Sequence, residues 1–390
     1  MSPARESILF ARNLFLPEDL GGNRYPYETI RRLGQRGHPL TVVTPRLHDR
    51  FPALPGVRYH LYPVRRPHPS ISHFTNLLGA TLALKALRRQ HAVALAASYD
   101  TALALGWAGI VPRTPLVFLF HSEFYSEWVQ SRPVARHLLL RYMAAIERRV
   151  FRLSARIVAV SEFSARQIRS RAPEASDRVR VIPTGVETDF FRPPVDKTAV
   201  RLELGLEPEC PLVLGVGRLA GVKQFDRLIT AFAVAWARGL NAHLVIAGEG
   251  PERGALERLI ATYGVGDRVR LVGYCDPSRL RAFMQASDLQ VCSSAFENLS
   301  LAILEGISCG TPVLTTPGGG TPELVGQIDP SLVLSDDHSR TLADALPVWL
   351  CDRQRLADLG RRARSVAVER YDWERVVDGL ESVCDEVARA

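Results

Sequence analysis

The stretch Ser293-Ser294-Ala295-Phe296-Glu297-Asn298-Leu299-Ser300-Leu301-Ala302-Ile303-Leu304-Glu305-Gly306 decides how the rest of the chain is read. It begins polar, passes one carboxylate at Glu297, then turns apolar and meets a second at Glu305. Apolar residues at 301, 303, 304 and 307 have helical spacing, which predicts a helix over 300–308 with Glu297 in the loop before it. At ~1.5 Å per residue, Glu305 then lies about 7.5 Å along the axis from the helix start. The free N–H groups near Asn298 to Leu301 favour an anion such as a phosphate. Two carboxylates beside such a helix end suit a ligand with hydroxyls at both ends and phosphate between them, and a nucleotide sugar has that form. The spacing leaves a plainer reading open, in which Glu305 is an ordinary exposed helix residue.

The surroundings are regular. Strand candidates Leu212–Gly217, His243–Ala247, Val269–Val272, Leu289–Cys292 and Pro312–Thr316 alternate with helix candidates Phe225–Arg238, Glu252–Tyr263 and Ser278–Ala286. This order predicts a doubly wound parallel sheet, in which ligands sit beyond the carboxyl ends of the strands. Gly215, Gly217 and Gly221 miss the G-x-G-x-x-G spacing, and there is no G-x-x-x-x-G-K-[ST], so neither a NAD site nor an ATPase loop is read. Instead Arg218 and Lys223 stand in a glycine-loosened loop after a strand, two cations matched to a diphosphate. Gly248-Glu249-Gly250 and Gly318-Gly319-Gly320 follow two further strands. With no D-x-D and no histidine pair at ligand spacing, the diphosphate is expected to be held without a metal.

The first half repeats the pattern. Ile8–Phe10 leads through Gly21-Gly22 into a helix over Tyr25–Gln35 and a strand over Leu40–Thr44, a βαβ unit. Paired glycines before a helix let backbone approach a phosphate, though a tight turn has the same signature. Ala92–Ala96, Leu116–Phe120 and Ile157–Val160 continue the strands; Leu77–Arg89 and Val134–Leu153 are helices between them. His121 stands at a strand's carboxyl end, and Ser161 is placed to cap a helix. The segment from Val181 through Pro193-Pro194 has the composition of an interdomain linker.

At 390 residues, with 46% hydrophobic and 23% charged residues, the chain is of two-domain size and ordinary globular composition. No apolar run is long enough to span a bilayer, the Arg-interrupted N-terminus does not read as a signal peptide, and the six scattered cysteines read as reduced thiols. A cytoplasmic location is expected. Up to Val195 there are 28 Lys+Arg against 14 Asp+Glu; beyond it there are 21 against 27. The basic half either meets an anionic partner, such as the inner membrane face, or carries a solvated arginine-rich surface. The arginine-bearing segment Val134–Leu153 admits both readings, while the lack of aromatic interleaving speaks against nucleic acid.

Taken together, Gly21-Gly22 with Arg36-Gly37-His38, Ile182-Pro183-Thr184-Gly185-Val186, Gly217-Arg218-Leu219 with Lys223, Gly248-Glu249-Gly250, Glu297 with Glu305, and Gly310-Thr311-Pro312-Val313 with Gly318-Gly319 resemble the retaining glycosyltransferases of family 4. The resemblance implies an α/β GT-B fold of two doubly wound Rossmann-like domains facing across a cleft. It implies an acceptor domain over 1–194, a nucleotide-sugar domain over 195–370, and a final helix over 371–390 crossing back to the first. It further implies that Arg218 and Lys223 hold the donor diphosphate, with Gly22 and the N–H groups of Leu299 and Ser300 on its distal phosphate. Glu305 would take the ribose hydroxyls, Glu297 the transferred sugar, and His121 would be the active-site histidine, with no cofactor and no metal. Asn298-Leu299-Ser300 and Thr184 depart from the family's commoner x-Phe-Gly and Asn; Ser300 has a side chain where Gly is usual, so the loop is expected to grip a different sugar while keeping its N–H contacts to phosphate. The expected reaction is transfer of a hexose from a UDP- or GDP-sugar to an acceptor hydroxyl with retention. A nucleotide-sugar epimerase and a non-catalytic nucleotide-sugar binder are the alternatives on the same fold.

Overall fold

The computed structural model describes residues 6–12, 24–46, 51, 53–63, 72–87, 91–121 and 136–389. It divides into two compact units, one formed by Met1–Pro183 with Glu374–Ala390 and the other by Thr184–Trp373.

In the first unit, β1 (Ile8–Ala11), β2 (Leu40–Pro45), β3 (Val57–Tyr62), β4 (Val93–Ala96), β5 (Leu116–Phe120), β6 (Arg156–Ala159) and β7 (Val179–Val181) pair in parallel in the order β3-β2-β1-β4-β5-β6-β7. The inner strands β1, β4 and β5 are short, wholly apolar and buried along their length, as parallel strands covered on both faces require. Phe118, Phe120 and Phe151 fill one face of this sheet. Chain order reverses between β1 and β4, the kind of switch point at which doubly wound sheets take ligands.

The second unit repeats the plan with β8 (Leu212–Val216), β9 (His243–Ala247), β10 (Val269–Gly273), β11 (Leu289–Cys292) and β12 (Val313–Thr315), all parallel, in the order β10-β9-β8-β11-β12. Here the reversal falls between β8 and β11. Those are the strands that precede Arg218 with Lys223 and Glu297.

Several elements differ from expectation. The helix expected over Leu77–Arg89 is Ser72–Lys85, and β3 and the helix Tyr99–Trp107 were not legible as elements. The units part at Pro183–Thr184, within the segment from Val181 to Pro194 expected to be the linker. Val186 N–H donates to the Tyr371 carbonyl at 2.8 Å, Phe191 is fully buried in the second core, and a Cβ on Gly185 would lie 2.4 Å from the Trp373 ring. Ser161 caps Glu162–Arg171 by accepting from the Ser164 N–H at 3.1 Å.

The final helix, Trp373–Arg389, completes the first unit through Val377, Leu380 and Cys384. Arg36 fixes its register by donating to Glu374 at 2.6 Å, Asp378 at 2.7 Å and Glu381 at 2.5 Å. Beside it, buried His38 places Nδ1 3.1 Å from the Glu6 carbonyl and Nε2 2.7 Å from Glu381. Arg36→Ala should therefore cost roughly 1–3 kcal/mol of stability, the range for losing charge-assisted hydrogen bonds. Amide exchange should rise first over 374–389; unchanged exchange there would remove Arg36 as the anchor.

Candidate active site

In the second unit the site is built by loops pressed together at strand ends. Gly217 leaves β8 at φ 153°, and a Cβ on Gly248 would lie 1.8 Å from its carbonyl oxygen, so the loops after β8 and β9 touch backbone to backbone. Leu219 N–H donates to the Glu249 carbonyl at 2.9 Å, which leaves Arg218 exposed at the loop tip. Two bonds then tie the loop after β8 to that after β11. Ala295 N–H donates to the Val222 carbonyl and Ser293 Oγ to the Lys223 carbonyl, both at 2.8 Å.

These contacts set Lys223 against Glu297. The lysine stem passes over Gly217, where a Cβ would stand 3.0 Å from Lys223 Cε, and its Nζ donates to Glu297 Oε1 in an ion pair. Ser294 Oγ donates to the same carboxylate oxygen at 3.1 Å. The glycine run after β12 holds the Glu297 backbone. Gly320 N–H donates to the Glu297 carbonyl at 2.7 Å, and a Cβ on Gly319 (φ 79°) would be 2.0 Å from that oxygen. The glycine loops after β9 and β12 therefore serve the close packing of loop on loop.

Leu301–Ser308 is a helix with Ser300 as its N-cap residue. A small pocket below it is lined by Val216, Lys223, Ser294, Glu297, Ser300 and Ile303 among others. Lys223, Glu297 and Ser300 thus come together, while Arg218, Leu299 and Glu305 do not line this pocket. Glu305 is buried, at 5% exposure, which excludes the ordinary surface glutamate. Its charge adds to burial in pushing the Cys309 thiol up.

In the first unit, His121 follows β5 at the sheet's carboxyl edge, its ring centroid 4.2 Å from that of Tyr25. Burial, reinforced by the Arg12 charge, pushes its pKa down to about 3, so the imidazole is neutral. Arg12 follows β1, is itself buried, and donates to the Ala97 carbonyl beyond β4 at 3.2 Å. Burial lowers its pKa to about 10 against the opposing pull of Asp100. Tyr25 and Arg12 beside His121, with the Asp100 charge acting on Arg12, are residues at this switch point that the sequence reading did not single out. The signal was present: Arg12 interrupts an apolar N-terminal run immediately after a strand. Gly21 and Gly22 lie outside the described residues.

Two parallel-sheet α/β units of this kind are the architecture of the GT-B glycosyltransferases. Sucrose-phosphate synthase from Thermosynechococcus elongatus has the same fold, with a TM-score of 0.83 at 21% identity over 98% of this chain and 99% of that one. The family model for glycosyl transferases group 1 matches residues 196–366, and that for glycosyltransferase family 4 matches residues 21–190. The D-inositol 3-phosphate glycosyltransferase of Nocardia farcinica is 30% identical over 93% of this chain and 84% of its own length. A GDP-mannose-dependent alpha-(1-6)-phosphatidylinositol monomannoside mannosyltransferase of Mycobacterium tuberculosis is 29% identical over 96% of both chains. The chain belongs to the glycosyl transferases group 1.

The neutral His121 has a measurable consequence. Its pKa is about 3 folded against 6.5 unfolded, so the unfolded chain binds the extra proton between those values and stability is lost as pH falls through that window. His121→Gln should therefore lose less stability than the parent between pH 7 and pH 4 in urea unfolding of the full chain. Equal losses in both proteins would show that His121 is not held neutral.

Proposed function

We propose that the chain is a retaining, metal-independent hexosyltransferase that moves a hexose from a UDP- or GDP-sugar to an acceptor hydroxyl. The observation that carries this reading is the Lys223–Glu297 pair in a pocket at the switch point between β8 and β11, under a helix N-terminus. The mycobacterial relative is named as GDP-mannose-dependent, which supports a nucleotide-sugar donor.

In this mechanism the donor diphosphate takes Lys223 and Arg218 as counter-charges, with the N–H groups of Leu299 and Ser300 on the distal phosphate. Glu305 takes the ribose hydroxyls. A diphosphate competes with Glu297 for Lys223. When Lys223 turns to the phosphate, the Glu297 carboxylate is released to accept hydrogen bonds from the sugar. The leaving diphosphate lies on the side from which the acceptor attacks and helps take the acceptor's proton, so one face of the anomeric carbon serves both departure and attack. Neutral His121 can donate or accept a hydrogen bond at the sugar without adding charge.

Peripheral contact with an anionic membrane, at the cytoplasmic face, belongs to the same proposal. The helix Arg136–Leu153 turns Met143, Val150 and Phe151 inward and exposes Arg141, Arg148, Arg149 and Arg152, a face suited to acidic headgroups. No helix among the described residues is long and apolar enough to cross a membrane. Flotation with anionic vesicles should retain the chain at low salt and release it at high salt; no binding at low salt would dismiss this contact.

Arg218→Ala and Lys223→Ala should each lower kcat/KM by about 10²–10³-fold, the range for removing one preorganised charge-stabilising group. The nucleotide-sugar Kd, measured by calorimetry, should rise with them. Unchanged kcat/KM in both variants refutes the assignment. An inverted anomeric configuration in the product, read by NMR, refutes retention, and loss of turnover on chelation refutes metal independence.

A further inference from the structure

At the opposite edge of the second sheet, the amino-terminal ends of β8 and β9 bring three metal-ligating side chains together. Leu212 and His243 are register partners, and His243 N–H donates to the Pro211 carbonyl at 2.8 Å, so Cys210 lies beside His243. The ligand atoms of Glu207, Cys210 and His243 all fall within 4.8 Å of one another, with Glu207 Oε1 3.5 Å from His243 Nε2. A tetrahedral zinc ion with ligands at about 2.0–2.3 Å spaces its donor atoms about 3.3–3.8 Å apart. One donor pair already has that spacing, and contraction of about an ångström closes the rest.

The backbone between these side chains is pinned. Leu206 N–H donates to the Arg201 carbonyl at 2.9 Å, and the Arg201 guanidinium donates in turn to the Pro208 carbonyl. Arg353 takes the Glu209 carbonyl at 2.5 Å and its carboxylate at 2.9 Å. Glu209 is thus committed outward to Arg353, and Glu207 is the acidic side chain turned to His243. Cys210 is buried and His243 partly so, while Glu207 reaches in from the exposed side.

We propose that Glu207, Cys210 and His243 form a binding site for a zinc-type divalent cation, distinct from the donor site. Thiolate, imidazole and carboxylate are the donor set of such an ion, and one thiolate with one carboxylate neutralises its charge. Water fills the fourth position. Cys210 binds the ion as its thiolate, giving up its proton on binding. A bound cation supplies the charge that keeps it deprotonated. The ion ties the loop before β8 to β9, so its contribution is to stability.

The test is cobalt titration of the metal-stripped full chain carrying Cys351→Ser, which removes the exposed thiol. One equivalent should bind with a near-ultraviolet thiolate-to-cobalt band and the visible bands of tetrahedral cobalt. Cys210→Ser should abolish the charge-transfer band. Glu207→Gln, at an exposed position that does not threaten folding, should weaken binding by at least about tenfold. Zinc should raise the melting temperature by a few degrees and chelation reverse it, with the transfer rate at saturating donor unchanged. Absence of the charge-transfer band, its persistence in Cys210→Ser, or an affinity indifferent to Glu207→Gln would overturn the site.

Discussion

The second unit is organised around one ion pair, Lys223 to Glu297, joining the loop after β8 to the loop after β11. Both side chains are partly withdrawn from water, and each would be costly there alone. Pairing offsets that cost. Ser294, donating to the same oxygen, keeps the carboxylate in place.

Each loop that carries the pair is braced by a neighbouring strand-end loop that approaches closer than side chains permit, which is why glycine recurs around it. Gly248 against Gly217, Gly250 against Leu219, Gly318 against Ala295 and Gly319 against Glu297 are each contacts a Cβ would close to 2.3 Å or less. Sequence alone invites reading every such glycine as a phosphate cradle. Close packing of one backbone on another makes the same demand for a missing side chain, and these positions answer to it. The tolerance of the site to substitution is therefore set by loop-on-loop contact as much as by any ligand.

What the sequence made legible follows from what is local. The strands Leu116–Phe120, His243–Ala247 and Leu289–Cys292 have the residues expected of them, since each is a mainly apolar, mainly buried run in a parallel sheet. The helix after Glu297 begins at Leu301 with Ser300 as N-cap residue, within a residue of its expected start. By contrast β3, Val-Arg-Tyr-His-Leu-Tyr, is an edge strand of mostly half-buried residues whose polar members hide its period. The pairing of Lys223 with Glu297 joins residues 74 apart in sequence, and the contact of Arg12 with Ala97 joins residues 85 apart. Such contacts exist only once strand order is fixed, and no spacing rule reaches them. The same holds for Glu207, Cys210 and His243, whose proximity comes from β8–β9 pairing.

The two units treat charge differently at equivalent places. Beyond β8 and β11, Lys223 and Glu297 form an ion pair that lines a pocket. Beyond β1, β4 and β5, burial and the buried guanidinium of Arg12 leave His121 neutral. On the proposed reaction this division has a reason. The departing diphosphate gains negative charge and needs cations whose partner carboxylate can step aside. A group beside a positively charged sugar does better uncharged, because an imidazolium there would raise the energy of the state to be stabilised. The Arg12 guanidinium adds to burial in suppressing protonation of the His121 imidazole.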